Sequence, residues 1–142
     1  MANYITVVIG GGAAGICAAI AAARKGETVV VCEKTAQLGK KILASGNGRC
    51  NLLNEELNDS FFNSSARPLV KSVFSQFDKP RILAFFKELG LETTAKEGRI
   101  FPVTNQAESV LHVLEMELKR LSVAVEYNFN CNGISSSKNG LL

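Results

Sequence analysis

Six residues near the amino terminus, Gly10-Gly11-Gly12-Ala13-Ala14-Gly15, constrain this 142-residue chain more than any other part of it. They follow an apolar run, Tyr4 to Ile9, built from β-branched and aromatic strand formers, and they open an alanine-rich stretch of helical propensity. Gly10, Gly12 and Gly15 keep the G-x-G-x-x-G spacing, and Glu33 lies 18 residues past the last glycine. Strand, turn, helix, second strand and terminal acid, in that order, predict a dinucleotide-binding unit. Gly10 lets the chain turn sharply out of the strand. Gly12 lets the backbone approach a pyrophosphate, and Gly15 lets the helix lie close on the sheet. The first N–H groups of the helix then face the phosphates from the positive end of its dipole.

A membrane reading competes for the same residues. Tyr4 to Ala23 is twenty residues without a charge, long enough to span a bilayer, and Gly11-x-x-x-Gly15 matches a helix-dimer motif. Three consecutive glycines would cost such a helix about 1 kcal/mol each, and the residues on either side have opposed propensities. Two soluble elements are therefore predicted, with no membrane partner. A signal peptide is disfavoured because no basic side chain precedes Tyr4. The net charge of +3 comes from Lys and Arg spread along the chain, so nothing points to nucleic acid. Cys17, Cys32, Cys50 and Cys131 form no C-x-x-C pair. They predict neither a metal site nor a disulfide framework, and they suit reduced thiols in the cytoplasm.

Glu27 to Cys32 reads as a second strand, all apolar after its first two residues, as a parallel strand buried on both faces should be. Glu33 at its carboxyl end is placed to accept bonds from the ribose hydroxyls of an adenosine and would repel a 2′-phosphate. Lys34 to Asn51 follows as a long loop with four basic residues (Lys34, Lys40, Lys41, Arg49), no acid, and many Gly, Ser and Asn residues. Such a loop presents N–H groups to an anion, and it is expected to form a lid over the cofactor. Cys50, beside Arg49, is expected to be the fastest-reacting thiol.

The run Gly39-Lys40-Lys41-Ile42-Leu43-Ala44-Ser45-Gly46-Asn47-Gly48-Arg49-Cys50-Asn51, with Val7 onward before it, closely resembles the amino-terminal part of the BaiN/aminoacetone-oxidase-like FAD-dependent oxidoreductases. Gly98-Arg99-Ile100-Phe101-Pro102 and the Ala107 to Leu118 stretch resemble that family too. The resemblance implies a Rossmann-like, three-layer α/β fold that binds FAD, with NAD(P)H as an electron donor of the complete enzyme. It also implies that the adenine meets backbone near Cys131. The candidate cofactor-binding residues are Gly10, Gly12, Ala13, Ala14, Gly15, Glu33, Lys34, Gly39, Lys41, Ser45, Gly46, Gly48, Arg49 and Cys131. No catalytic residue is assigned. Related disulfide reductases carry a cysteine pair at about this point of the chain, and only Cys50 is present here.

The middle of the chain reads as scaffold. Arg67 to Phe77 and Pro80 to Leu89 have helical spacing, with Leu69, Val73 and Phe77 expected in the core, Asp78 as an N-cap and Gly90 as a stop. Leu91 to Lys96 and Arg99 to Phe101 predict a hairpin around Glu97-Gly98. Asn105 and Glu108 predict a capping box for a helix ending near Lys119, and His112 within it lies beside no catalytic motif. Val123 to Asn128 and Cys131 to Ser135 read as strands, followed by a hairpin turn at Ser137-Lys138-Asn139-Gly140. Only Leu141 and Leu142 remain after that turn, so residues 1–142 read as one FAD-binding domain of a larger flavoprotein, incomplete at the carboxyl end. Self-association through the apolar end is expected. Two functions fit: the FAD-anchoring part of an oxidoreductase, or a nucleotide-binding module without turnover. A plain NAD-binding domain explains the long basic loop less well.

Overall fold

The change of propensity at the triple glycine is where the chain turns. In the computed structural model, which describes residues 5–137 and 140–141, the elements run β1 (Ile5–Ile9), α1 (Ala13–Arg24), β2 (Thr28–Cys32), α2 (Lys40–Ala44), a 3-10 turn (Ser45–Gly48), β3 (Leu53–Asn54), a second 3-10 turn (Asp59–Phe61), α3 (Arg67–Gln76), α4 (Lys79–Glu88), β4 (Thr93–Lys96), β5 (Arg99–Pro102), α5 (Ala107–Arg120), β6 (Ala124–Glu126), β7 (Ser136–Ser137) and β8 (Gly140–Leu141). The chain divides into two compact units: Met1–Lys41 with Leu114–Leu142, and Ile42–Val113. Among the described residues no helix is long and apolar enough to cross a membrane.

The first unit carries a parallel sheet of order β1-β2-β6, with Val8 opposite Val31 and Val30 opposite Ala124. The helix α1 lays Ile16, Ala19 and Ile20 on one face of it, all essentially without solvent exposure. Val29 and Val31 are buried, but Val30 is only half-buried. Its neighbours on the other face, Val7 and Ile9 of β1, are 54% and 49% exposed, so this face of the sheet is only partly covered, with Cys32 buried at its end, where burial on both faces was expected. Residues from Leu114 onward add Leu114 and Leu118 to this core. Glu117, 6% exposed, takes hydrogen bonds from Arg24 Nε at 2.8 Å and from Arg120 Nε at 2.6 Å. That ion pair ties α1 to the end of α5.

The carboxyl-terminal strands differ from expectation. The strand β6 stops at Glu126 because Asn128 turns to φ 56°, outside the extended region. Residues 131–135 form no strand: Asn132 and Gly133 have poor strand propensity, and Cys131 Sγ turns onto the Gly133 carbonyl at 3.5 Å. The hairpin itself is present, with Ser136 opposite Leu141 and Ser137 opposite Gly140. The expected turn residues Lys138 and Asn139 lie outside the described residues, as does Leu142.

The second unit is built on an antiparallel sheet of order β3-β5-β4. Its hairpin turns at Glu97 (φ 53°) and Gly98 (φ 74°), the two left-handed residues that a tight hairpin requires. Ile100 and Phe101 of β5 are buried. Asp78 caps α4 by accepting from the Arg81 N–H at 3.1 Å, and Gly90 ends it at φ 87°. Neither α3 nor α4 contains a fully buried residue. Leu69, Val73 and Phe77 are 69%, 47% and 45% exposed, so helical spacing identified an apolar face and not a core. The capping box at Asn105 does not form. Asn105 adopts φ 56°, where a cap needs extended backbone, and α5 begins at Ala107.

Candidate functional site

The carboxyl ends of β1 and β2 are joined by short backbone bonds. Gly10 N–H donates to the Cys32 carbonyl at 2.8 Å, and Glu33 N–H donates to the Glu126 carbonyl at 2.8 Å. Phe129 N–H reaches the Glu33 carbonyl at 2.9 Å, and Gly39 N–H reaches the Gly11 carbonyl at 2.8 Å. These bonds gather the glycine turn, the segment after β2 and residues 129–131 around one cavity of about 510 Å³. That volume lies within the range of small-molecule sites. Gly12 caps α1 in extended conformation with no side chain on the first N–H groups, which leaves the positive end of a twelve-residue helix free for an anion.

The glycines have separate reasons. Gly10 holds φ 98°, which disfavours any side chain. At Gly15 a Cβ would lie 1.9 Å from the Gly10 carbonyl oxygen, so that residue permits close helix–strand packing. At Gly11 a Cβ would lie 2.1 Å from Leu38 Cδ2. At Gly12 a Cβ would meet nothing within 4 Å, and the backbone there suits any residue. Among the described residues nothing accounts for the missing side chain at Gly12, which opens on the cavity.

Glu33 is half-buried, and both carboxylate oxygens accept backbone donors: Oε2 from Gly11 N–H at 2.7 Å and Oε1 from Thr35 N–H at 2.8 Å. Those two bonds, Gly11 first, hold its carboxyl below the usual range against the opposing effect of burial, and the Thr35 side chain and then the positive charge of Lys40 add to them. The charged carboxylate thus splints the glycine turn to the end of β2. Each oxygen keeps a further lone pair for an outside donor.

Of the residues expected from sequence, Gly10, Gly12, Ala13, Glu33, Lys34, Gly39, Lys41 and Cys131 line this cavity. Ala14 and Gly15 sit in the first turn of α1 and do not line it. Thr35, Gln37, Lys40, Phe129 and Asn130 line it as well and were missed. Lys40 had a signal in the basic loop; Phe129 and Asn130 had none, because they are brought in by backbone bonds, from Asn128 N–H to the Thr35 carbonyl at 3.2 Å and from Phe129 N–H to the Glu33 carbonyl.

Ser45, Gly46, Gly48 and Arg49 belong to the second unit. The segment expected as a loop forming a lid over the cofactor contains a short helix, α2, running into a 3-10 turn. Gly46, Asn47, Gly48 and Cys50 all take left-handed backbone, at φ 56°, 54°, 80° and 57°. Non-glycine residues in that region mark a conformation imposed by their surroundings. Ser45 Oγ donates to the Ile42 carbonyl at 2.7 Å. Arg49 Nε donates to the Gly46 carbonyl at 3.1 Å, and its guanidinium lies 5.1 Å from the centre of the Phe101 ring. Asn51 Oδ1 is buried and lacks a hydrogen-bond partner. Cys50 is only 6% exposed, which overturns its expected rank as the most reactive thiol.

A parallel sheet, a glycine turn opening a helix, and an acid at the end of the second strand define a Rossmann-type dinucleotide-binding domain. The chain matches the HI0933-like protein Rossmann domain over residues 4–142. It is 44% identical over 137 residues to the 3-dehydro-bile acid delta(4,6)-reductase of Clostridium scindens, covering 95% of this chain and 34% of that protein. It is 30% identical over 120 residues to the ribosomal RNA dihydrouridine synthase of Haemophilus influenzae, covering 84% of this chain and 30% of that protein. The chain thus spans about a third of the length of these curated relatives. Among solved structures, 3-ketosteroid-delta4-(5alpha)-dehydrogenase of Rhodococcus jostii RHA1 superposes with TM-score 0.68 at 15% identity, over 98% of this chain and 41% of that one. A flavocytochrome c3 fumarate reductase superposes with TM-score 0.65 at 17% identity, over 96% and 28%. Those two likenesses are of fold. The chain belongs to the HI0933-like Rossmann domain family, the BaiN-like flavoproteins, whose cofactor is FAD.

Proposed function

We propose that this chain is the FAD-anchoring part of a flavin-dependent reductase and that its cavity takes the adenosine diphosphate half of the cofactor. The observation that carries the reading is Gly12: it faces open cavity, no backbone or packing constraint demands a glycine there, and it caps a helix whose first N–H groups have no side-chain partner. Gly12 and Ala13 would receive the pyrophosphate, with Lys40 and Lys41 supplying positive charge. Glu33 would accept from the ribose hydroxyls with its remaining lone pairs, and backbone at 129–131 would meet the adenine. For Ser45, Gly46, Gly48 and Arg49 the support is the family resemblance and the left-handed backbone of their own turn. When bound, FAD supplies the hydride-transfer chemistry. The residues here bind and orient its non-reacting end, and none is assigned to move a proton. The reductase class comes from the Clostridium scindens relative, which is a reductase by name. A location in the cytoplasm accords with the four free thiols.

The test is calorimetric titration of the purified chain with ADP and with FAD. Wild type is expected to bind both, and Glu33→Ala to weaken ADP about ten- to a hundredfold, as for loss of charged hydrogen bonds. An unchanged dissociation constant in Glu33→Ala would leave the carboxylate with only its splinting role. No binding of either ligand by wild type would sink the nucleotide reading.

A further inference from the structure

Leu38 is the one large apolar residue between Lys34 and Gly39, yet it is only 1% exposed. It is buried against the middle glycine of the turn. In a G-x-G-x-x-G motif that middle position carries no requirement, and Gly11 is not among the left-handed glycines of this chain. It is nevertheless held at three points. Its N–H donates to Glu33 Oε2 at 2.7 Å, its carbonyl accepts from Gly39 N–H at 2.8 Å, and Leu38 Cδ2 occupies the place where its side chain would be. All three partners come from the short segment after β2. Gly11 lies between Gly10, which makes the turn, and Gly12, which faces the cavity, so a displacement of Gly11 moves both.

We infer that Leu38 is a positioning residue for the nucleotide site: packed over Gly11 between the Glu33 and Gly39 hydrogen bonds, it locks the glycine turn in the form that keeps Gly12 open to the cavity. This rests on the nucleotide reading above. The physical reason is local. The two hydrogen bonds alone compete with water, and each has small net worth where solvent can enter. The Leu38 side chain excludes that water and removes the alternative positions of Gly11. Without it the turn becomes a mixture of forms, and apparent affinity falls with the fraction that remains competent.

The experiment uses the full chain, with ADP as the probe and amide hydrogen exchange as a readout independent of ligand. Leu38→Ala is expected to weaken ADP binding about tenfold, as when only about a tenth of the turns stay competent, and to speed exchange at the Gly11 and Gly39 amides. Leu38→Met preserves volume and should leave both near wild type. Gly11→Ala should abolish ADP binding in the wild-type background. Added to Leu38→Ala it should cost less than about threefold, because the atom it would strike is gone and the two sites are coupled. The Glu33 atoms at 3.2 and 3.3 Å from the new methyl need to give only slightly. If Leu38→Ala does not fold, Leu38→Val, which also lacks Cδ2, carries the same comparisons. Independent, multiplicative losses in the double variant, or unchanged Gly11 exchange when Leu38 is shortened, overturn the lock. Failure of the wild type to bind ADP overturns the nucleotide reading alone, since the exchange comparison still decides the lock.

Discussion

Glu117 is the one charged side chain that is buried among the described residues, and the arginines around it set its titration. Hydrogen bonds from Arg120, and then from Arg24, outweigh desolvation and lower its carboxyl from 4.5 to about 2. A carboxyl depressed in the folded state stabilises the fold above its unfolded value, and that contribution is lost as pH falls through the folded value. Stability should therefore fall between about pH 4.5 and 2, by about 3 kcal/mol from this group. Glu33, also depressed, adds in the same direction. Urea unfolding followed from pH 7 to pH 2.5 should show the fall, and Glu117→Gln should flatten most of it; a variant with the wild-type pH dependence would detach α1–α5 pairing from this ion pair. The thiols carry a second prediction at this scale. Burial raises Cys17 and Cys32, and Cys50 is sealed, whereas Cys131 is half-buried at the cavity wall. Maleimide labelling should find Cys131 first, and ADP should slow it. Fast labelling of Cys50, or no protection by ADP, would contradict that order.

At the scale of elements, the glycine turn can be dissected by two substitutions with opposite signatures. Gly15→Ala places a methyl 1.9 Å from the Gly10 carbonyl oxygen, so α1 must lift from β1. Overpacking of this kind costs about 1–3 kcal/mol, read as a lower melting temperature. At Gly12 a Cβ meets no protein atom within 4 Å, so Gly12→Val should melt nearly as wild type while losing ADP binding. Equal melting losses in both would mean that Gly12 serves packing. These outcomes follow from a region whose elements were legible in sequence: opposed propensities bounded β1 and α1, glycine spacing set the turn, and Glu97-Gly98 and Asp78 marked a hairpin and a cap. What was illegible has a common cause. The helix α2 is five residues long, too short to show periodicity. The burial of Leu38 against Gly11 and the presence of Phe129 at the cavity depend on partners distant in sequence. Local pattern reports what a segment prefers, while those residues do what their neighbours impose.

For the molecule as a whole, two exposed features govern behaviour in solution. On the proposed reading the site residues would address the adenosine and pyrophosphate end of FAD, and none is assigned to its ring system. A ring without fixed orientation is not poised for hydride transfer. The 142-residue chain should therefore bind ADP about as tightly as FAD, within about threefold or 0.7 kcal/mol, and anaerobic NADH or NADPH should not bleach bound flavin. Tight FAD-selective binding with rapid bleaching would show the reacting end to be held by these residues alone. The second feature is the sheet face opposite α1. Parallel sheets are normally covered on both faces, but here Val7, Ile9, Phe129 and Ile134 are 54%, 49%, 48% and 62% exposed around an apolar cavity of about 490 Å³. Contiguous apolar surface of this kind drives association. Sedimentation velocity should show concentration-dependent self-association, strengthened by sulfate and reduced by Val7→Thr with Ile134→Ser. Those two substitutions lie away from the lining of the cavity proposed for the nucleotide, so ADP affinity should be retained. A chain that stays monomeric at high concentration, or a double variant that associates as strongly as wild type, would show that this face does not drive association.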